Sequence, residues 1–298
     1  VGIGNFSGAY GQEQAAYFAS GKATEQEQYV AGNPEYGFNE FLQICVEQGI
    51  IPFLLYMIIV VYSLYVGCKR RKVAPTSSLV ALLIASAMSY PFSVLPFLIV
   101  SAFLLAWIHA DAKGKSMPKL TLSFTLAGLV LIGACLYNRY PAYDACKKWK
   151  RCSLLYHSGI YQDAVKEYKL IYPLLSDQLT FLFEYAQCLS KSEQYEESNE
   201  VLSKTTKISC DPMLYNIMGK NYQALKQYDM AEQCYEISAN IVPNRIYPYY
   251  LIALMYEEMG EHEKAKIAAQ IVQTKEPKVQ STAIREMRDK MKKRIDAN

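Results

Sequence analysis

Apolar and polar positions follow one another in four different ways along this chain of 298 residues. Residues 1–47 are polar and glycine-bearing. Within them Phe41, Leu42, Cys45 and Val46 recur at helical spacing, which predicts a helix over Asn39–Gln48 with Gly49 as its stop. Gln12–Phe18 predicts a shorter helix, and Gly2, Gly4, Gly8 and Gly11 predict flexible or tightly turned backbone. Ile50 to Gly67 is a run of 18 uncharged residues, close to the roughly 20 that cross about 30 Å of hydrocarbon. The next uncharged run, residues 78–110, would make a helix of about 50 Å, too long for one crossing. Pro91 and Pro96 divide it near its middle. Two short spans joined by a tight turn are expected, and one kinked span is the competing reading. Lys119–Tyr137 is again apolar. The pattern predicts about four transmembrane helices, approximately 50–68, 78–90, 95–110 and 119–137, followed by amphipathic helices.

Composition sharpens this division. Mean hydropathy is −0.02, a value that suits a soluble globule, yet the charges are unevenly placed. Of 59 charged residues, 7 lie in 1–47, 8 in 48–138 and 44 in 139–298. The eight central charges form two clusters, Lys69–Lys72 and Asp111–Lys119. The first marks a cytoplasmic helix end and places the acidic segment before it outside. A net charge of +3 with scattered basic residues gives no reason to expect nucleic acid as a partner. The eight cysteines contain no C-x-x-C pair and read as small buried hydrophobes; only Cys146 and Cys152 are near enough to invite a local bridge. His109, His157 and His262 are too scattered for a metal site. Gly2-x-Gly4 lacks the strand, helix and lysine of a phosphate loop. No metal and no cofactor are expected.

The last 150 residues repeat. Tyr161, Tyr195, Tyr228 and His262 are spaced by 34, 33 and 34 residues. Ala164, Ser198, Ala231 and Ala265 follow each by three positions, and Tyr168, Leu202, Tyr235 and Ala269 come four later. Gly159, Glu193, Lys226 and Gly260 precede each by two. This resembles the tetratricopeptide repeat, a helix pair of about 34 residues that must stack on its neighbours to bury its apolar face. The expected fold class is all-α. It comprises a loop at 1–49, transmembrane helices in 50–138, four repeats in 141–277 and a capping helix in 278–298. The 25 tyrosines read as repeat core.

Residues 1–50 carry a second resemblance. Gly2-Ile3-Gly4-Asn5-Phe6, Pro34 to Gln43 and Glu47-Gln48-Gly49-Ile50 running into a span resemble the large periplasmic loop of the O-antigen ligase/polymerase family. That family is associated with a His-Asn pair, nine residues and a Gly before a membrane helix. Here Asn39 and Gly49 keep the spacing, and Phe38 occupies the histidine's place. The resemblance implies the C-terminal part of a longer bacterial inner-membrane, multi-pass transferase, with loop and repeats in the periplasm. Such an enzyme moves a glycan from undecaprenyl diphosphate to an acceptor. It also implies that diphosphate-binding arginines lie upstream of Val1 and that this segment alone is inactive. A carboxylate would then activate the acceptor hydroxyl: Glu40 first, with Glu35 and Glu47 as alternatives. Helical spacing puts Glu40 and Glu47 on one face. Asn39 would orient the acceptor or cap the helix after it. The expected partners are the lipid-linked glycan, membrane lipid and a protein on the repeats. The rival reading is a non-catalytic, membrane-anchored tetratricopeptide scaffold of the cell envelope.

Overall fold

The computed structural model describes residues 1–110 and 119–297, with side chains described outside 119–124 and 295–297. No strand occurs among the described residues; the chain there is helical. The helices are α1 (Phe6–Ala19), α2 (Glu25–Val30), α3 (Glu40–Gln48), α4 (Ile50–Lys69), α5 (Val73–Met88), α6 (Leu95–His109), α7 (Lys119–His157), α8 (Tyr161–Leu175), α9 (Leu179–Lys191), α10 (Tyr195–Thr205), α11 (Pro212–Ala224), α12 (Tyr228–Ile241), α13 (Tyr247–Met259), α14 (His262–Thr274) and α15 (Thr282–Ala297). They fall into two compact units: Val1–Phe6 with Glu35–Asp144, and Ser7–Pro34 with Ala145–Asn298. Residues 1–49, read from the sequence as one loop, therefore divide between the two.

The first unit is a sheaf of α4, α5 and α6 under the short helix α3. Run 78–110 forms two helices, with a single 3-10 turn at Pro91–Ser93 between them. Among the described residues only α4 is long and apolar enough to cross a membrane. At 16 and 15 residues, α5 and α6 fall short of the expected spans. The fourth expected span, 119–137, begins among residues whose side chains lie outside the described set, and the Asp111–Lys119 cluster lies outside the described residues except for the backbone of Lys119. No break appears at 138–141; α7 continues through Pro141 to His157.

The sheaf buries a small apolar seam of Val66, Leu79 and Ile108 and, beside it, three serines, while most of its large aliphatic side chains are exposed. Ser63, Ser86 and Ser101 are buried. Their hydroxyls donate to the carbonyls of Ile59, Leu82 and Phe97 at 2.7, 2.8 and 2.7 Å, one turn earlier in each helix. Ile51, Leu55, Ile58, Ile84, Leu95 and Phe103 are exposed. Small residues let the helices approach: a Cβ at Gly67 would run into the Thr76 side chain. The Lys69–Lys72 cluster closes one end. Arg70 Nη1 donates to the His109 carbonyl at 2.7 Å, and Lys72 Nζ to Trp107 O at 2.7 Å and to Ala110 O. These cations satisfy carbonyls at the negative end of α6.

The second unit stacks helix pairs: the end of α7 with α8, α9 with α10, α11 with α12, and α13 with α14. The four repeat-marking residues each open the second helix of a pair. Ala164, Ser198, Ala231 and Ala265 are buried where that helix meets the first; Ser198 Oγ donates to Ala186 O at 2.8 Å. Tyr168, Leu202, Tyr235 and Ala269 are buried one turn later. The turn within each pair has a left-handed residue: Gly159 at φ 77°, Glu193 at 63°, Lys226 at 60° and Gly260 at 79°. Ile160, Gln194, Gln227 and Glu261 donate back to Leu155, Leu189, Tyr222 and Tyr256, the six-to-one bond of a Schellman cap. α15 caps the stack with Met291 buried.

Residues 7–34 form a strap on this unit. Gly8 and Gly11, expected in turns, lie inside α1. A Cβ on Gly8 would overlap the Lys207 carbonyl, and one on Gly11 the Cys210 side chain. Ser7 Oγ accepts from Cys210 N at 3.1 Å, and Gln14 Nε2 donates to Ile241 O at 2.5 Å. Asn244 Nδ2 reaches Tyr29 O at 2.8 Å, and Lys278 Nζ reaches Val30 O at 2.9 Å. The strap thus ties three successive inter-repeat loops.

Candidate functional site

The residues singled out in the sequence converge on α3. Asn39 is its N-cap: Oδ1 accepts from Leu42 N at 3.0 Å, and Nδ2 donates to Ala87 O at 3.1 Å. Gly49 sits at φ 92°, where α3 ends and α4 begins, a conformation that favours glycine. Phe38 is exposed, and its ring meets Tyr90 edge-on at 5.7 Å. Glu35 is exposed and stands outside the cavity that its partners line.

That cavity lies beneath α3, between α4, α5 and α6, with a volume of about 500 Å³. Glu40 and Glu47 both line it, as their spacing of seven implies, with Gln43 and Gln48 beside them. Below are Val60, Leu79, Leu98 and Leu105. Glu40 is 5% exposed. Its Oε1 accepts from Phe92 N at 2.9 Å and Ser93 N at 3.1 Å, holding the 3-10 turn against α3. Burial raises its pKa above the usual carboxylate value, the amide bonds pull the other way, and the charge of Glu47 adds to the rise. Sequence reasoning missed this tie. Its signal was the Pro91-Phe92-Ser93 turn, in which the Phe92 amide is left for an acceptor outside the turn while Ser93 N also donates to Tyr90 O at 3.2 Å. Glu47 Oε1 accepts from Phe6 N at 3.3 Å and Gln43 Nε2 at 3.4 Å. Among the described residues no Arg or Lys lines the cavity, so none of them offers a diphosphate a guanidinium fork there.

Three of the buried thiols of the repeat unit are held away from the thiolate form. Burial pushes Cys152 up to about 11 and Cys188 and Cys234 to about 12, which keeps them protonated. All eight cysteines are free, including Cys146 and Cys152. Four are buried, whereas Cys68, Cys135 and Cys146 are exposed, so the expectation of eight buried thiols is corrected. Among the described residues no group of three or more His, Cys, Asp or Glu could hold a metal ion.

The repeat unit offers grooves instead. One, about 560 Å³, runs between α12 and α14 over α13, with Glu232, Glu236, Tyr249, Ile252 and Ile267 on its walls and Phe18 of the strap at one end. Another, about 460 Å³, lies between α9 and α11 and includes Tyr195, Ile217 and Lys220. Residues 214–239 and 246–270 match the family model described as Tetratricopeptide repeat. The unit contains tetratricopeptide repeats. A solved structure described as "MamA RS-1 ArsTM double mutant" is similar at 16% identity and a TM-score of 0.39, over 52% of this chain and 79% of that one. No curated protein matches the chain.

Proposed function

We propose that this protein is a membrane-anchored scaffold in which α4–α6 sit in a bilayer and the tetratricopeptide unit binds partner proteins. The observation that carries it is the joining, in one chain, of a sheaf that exposes Ile51, Ile58 and Phe103 to a repeat stack with open grooves. Large exposed apolar surface marks a lipid or protein interface, and stacked repeats present extended binding surfaces. The test is site-specific photo-crosslinking of the full chain in its native membrane. Ile267→Asp and Lys220→Glu, one in each groove, should remove crosslinked partners without releasing the chain from the membrane. Crosslinks unchanged by both variants would sink the scaffold reading.

A second reading is supported by the shared cavity face of Glu40 and Glu47 and by the Asn39-to-Gly49 spacing. In it the chain belongs to a glycan transferase of the O-antigen ligase/polymerase type. The loop and repeats would stand on the periplasmic side, with Lys69–Lys72 cytoplasmic. Glu47, whose Oε1 takes only long hydrogen bonds, is then a better base than Glu40. Glycan transfer that survives Glu47→Gln and Asn39→Ala in the complete protein would eliminate this reading.

A further inference from the structure

We propose that the cavity beneath α3 binds a single-chain amphiphile whose head is rich in hydroxyls and carries no phosphate. The inference rests on the membrane reading of α4–α6 and needs no transfer chemistry.

The cavity has two tiers. Glu40, Gln43 and Glu47 form a polar rim contributed by one helix, and Val60, Leu98 and Leu105 form an apolar shaft between α4 and α6. An amphiphile entering along the sheaf would put its head at the rim and its chain in the shaft. The volume of about 500 Å³ lies at the small-ligand end of the usual range of roughly 300–1,000 Å³. It suits one chain and a small head.

The rim sets the head chemistry. Glu40 and Gln43 are both more than nine-tenths buried. Gln43 Oε1 already accepts from Gly37 N at 3.0 Å and its Nε2 donates to Glu47, so the amide is held in place. Two carboxylates with no cation among the described lining residues repel an anionic head. Ionised carboxylates only accept hydrogen bonds, so the matching groups are donors, and sugar-like hydroxyls supply several at short spacing. A quaternary ammonium would answer the charge but has no hydrogen to donate.

The test uses the full chain in phosphatidylcholine nanodiscs and a diazirine-bearing dodecyl glucoside, with crosslinks mapped by mass spectrometry. Labels should concentrate on Val60, Leu98 and Leu105. Unlabelled dodecyl glucoside should compete about tenfold better than lysophosphatidate or alkyltrimethylammonium of equal chain length, a tenfold ratio being a discriminable difference in affinity. Ala102→Trp, which fills the shaft from α6, should abolish these labels and leave those on lipid-facing Ile58. Glu47→Lys should turn the preference toward lysophosphatidate. Labels spread evenly over the outer face of α4, or equal competition by either charged amphiphile, would overturn the inference alone. Exclusion of the chain from the nanodiscs would overturn it together with the membrane reading.

Discussion

The two units of this protein differ in the surface they expose. In the repeat stack, Phe181, Tyr185 and Tyr168 are buried and pack ring to ring at 5.5–6.1 Å, while 44 of the chain's 59 charges lie in residues 139–298. In the sheaf, Ser63, Ser86 and Ser101 are buried beside a small apolar seam of Val66, Leu79 and Ile108, while Ile51, Leu55, Ile58, Ile84 and Phe103 face outward. The stack is held by removing apolar surface from water. The sheaf has no such drive if its surroundings are lipid, so close helix contact and hydrogen-bonded hydroxyls carry the packing. The same side chain therefore has a different value in each unit.

The largest expected contrast is between matched truncations. Phe181→Ala, at a fully buried site, should cost the repeat unit about 3–5 kcal/mol. Ile58→Ala, at a site 64% exposed, should cost less than about 0.5 kcal/mol. Chemical denaturation followed separately by repeat and sheaf probes reads both. Adding a charge inverts the order. Ile58→Asp should oppose membrane insertion by about 2.5–3.5 kcal/mol. Ile267→Asp, at a site 59% exposed in the stack, should change stability by less than about 0.5 kcal/mol. A glycosylation-tagged insertion assay and a melting curve compare them. Equal effects would erase the distinction between the units.

Three smaller effects probe the joints. Gly219→Ala puts a Cβ into the buried Tyr235 ring and should lower repeat stability by about 1–3 kcal/mol, read from the thermal midpoint. Glu40→Ala takes the acceptor from the Phe92 amide, while Ser93 N keeps Tyr90 O; it should destabilise the sheaf by about 1–3 kcal/mol, and Glu40→Gln, which keeps an acceptor, should lose less. Because the folded pKa of Glu40 is raised, its contribution falls as pH rises from about 4.3, the ordinary glutamate value, through the raised one. Glu40→Gln should flatten that slope; an unchanged pH profile of melting would remove Glu40 from the account. Last, Glu193→Gly relieves a left-handed residue at φ 63° and should stabilise the stack by about 0.5–1 kcal/mol.

The repeat architecture was legible because its period is enforced at every level. The small residue at Ala164, Ser198, Ala231 and Ala265 is required by helix approach, so it recurs in the sequence. The left-handed turn recurs in the backbone but only half the time as glycine, so Glu193 and Lys226 concealed it. The strap was missed because glycine has two uses. Gly2 and Gly4 do adopt positive φ, whereas Gly8 and Gly11 serve contact with the loop at 206–210. A stripe of Ser7, Gly8, Gly11 and Ala15 on one helix face was the available signal. At the candidate site, the Asn39 cap, the Gly49 break and the shared face of Glu40 and Glu47 followed from helical periodicity. The bonds from Glu40 to residues 92 and 93 did not, because they join positions more than fifty apart in sequence.

The central claim is that one unit faces lipid and the other faces water. The chain has two tryptophans, one in each unit: Trp107 on α6, about half exposed, and Trp149 on α7, which packs on Phe181 and donates to Glu184 at 2.9 Å. Fluorescence quenching by vesicles of acyl-brominated lipid, measured on the full chain with Trp149→Phe and Trp107→Phe in turn, separates them. The account predicts strong quenching of Trp107 and none of Trp149. Equal quenching of both, or unquenched Trp107, would contradict it.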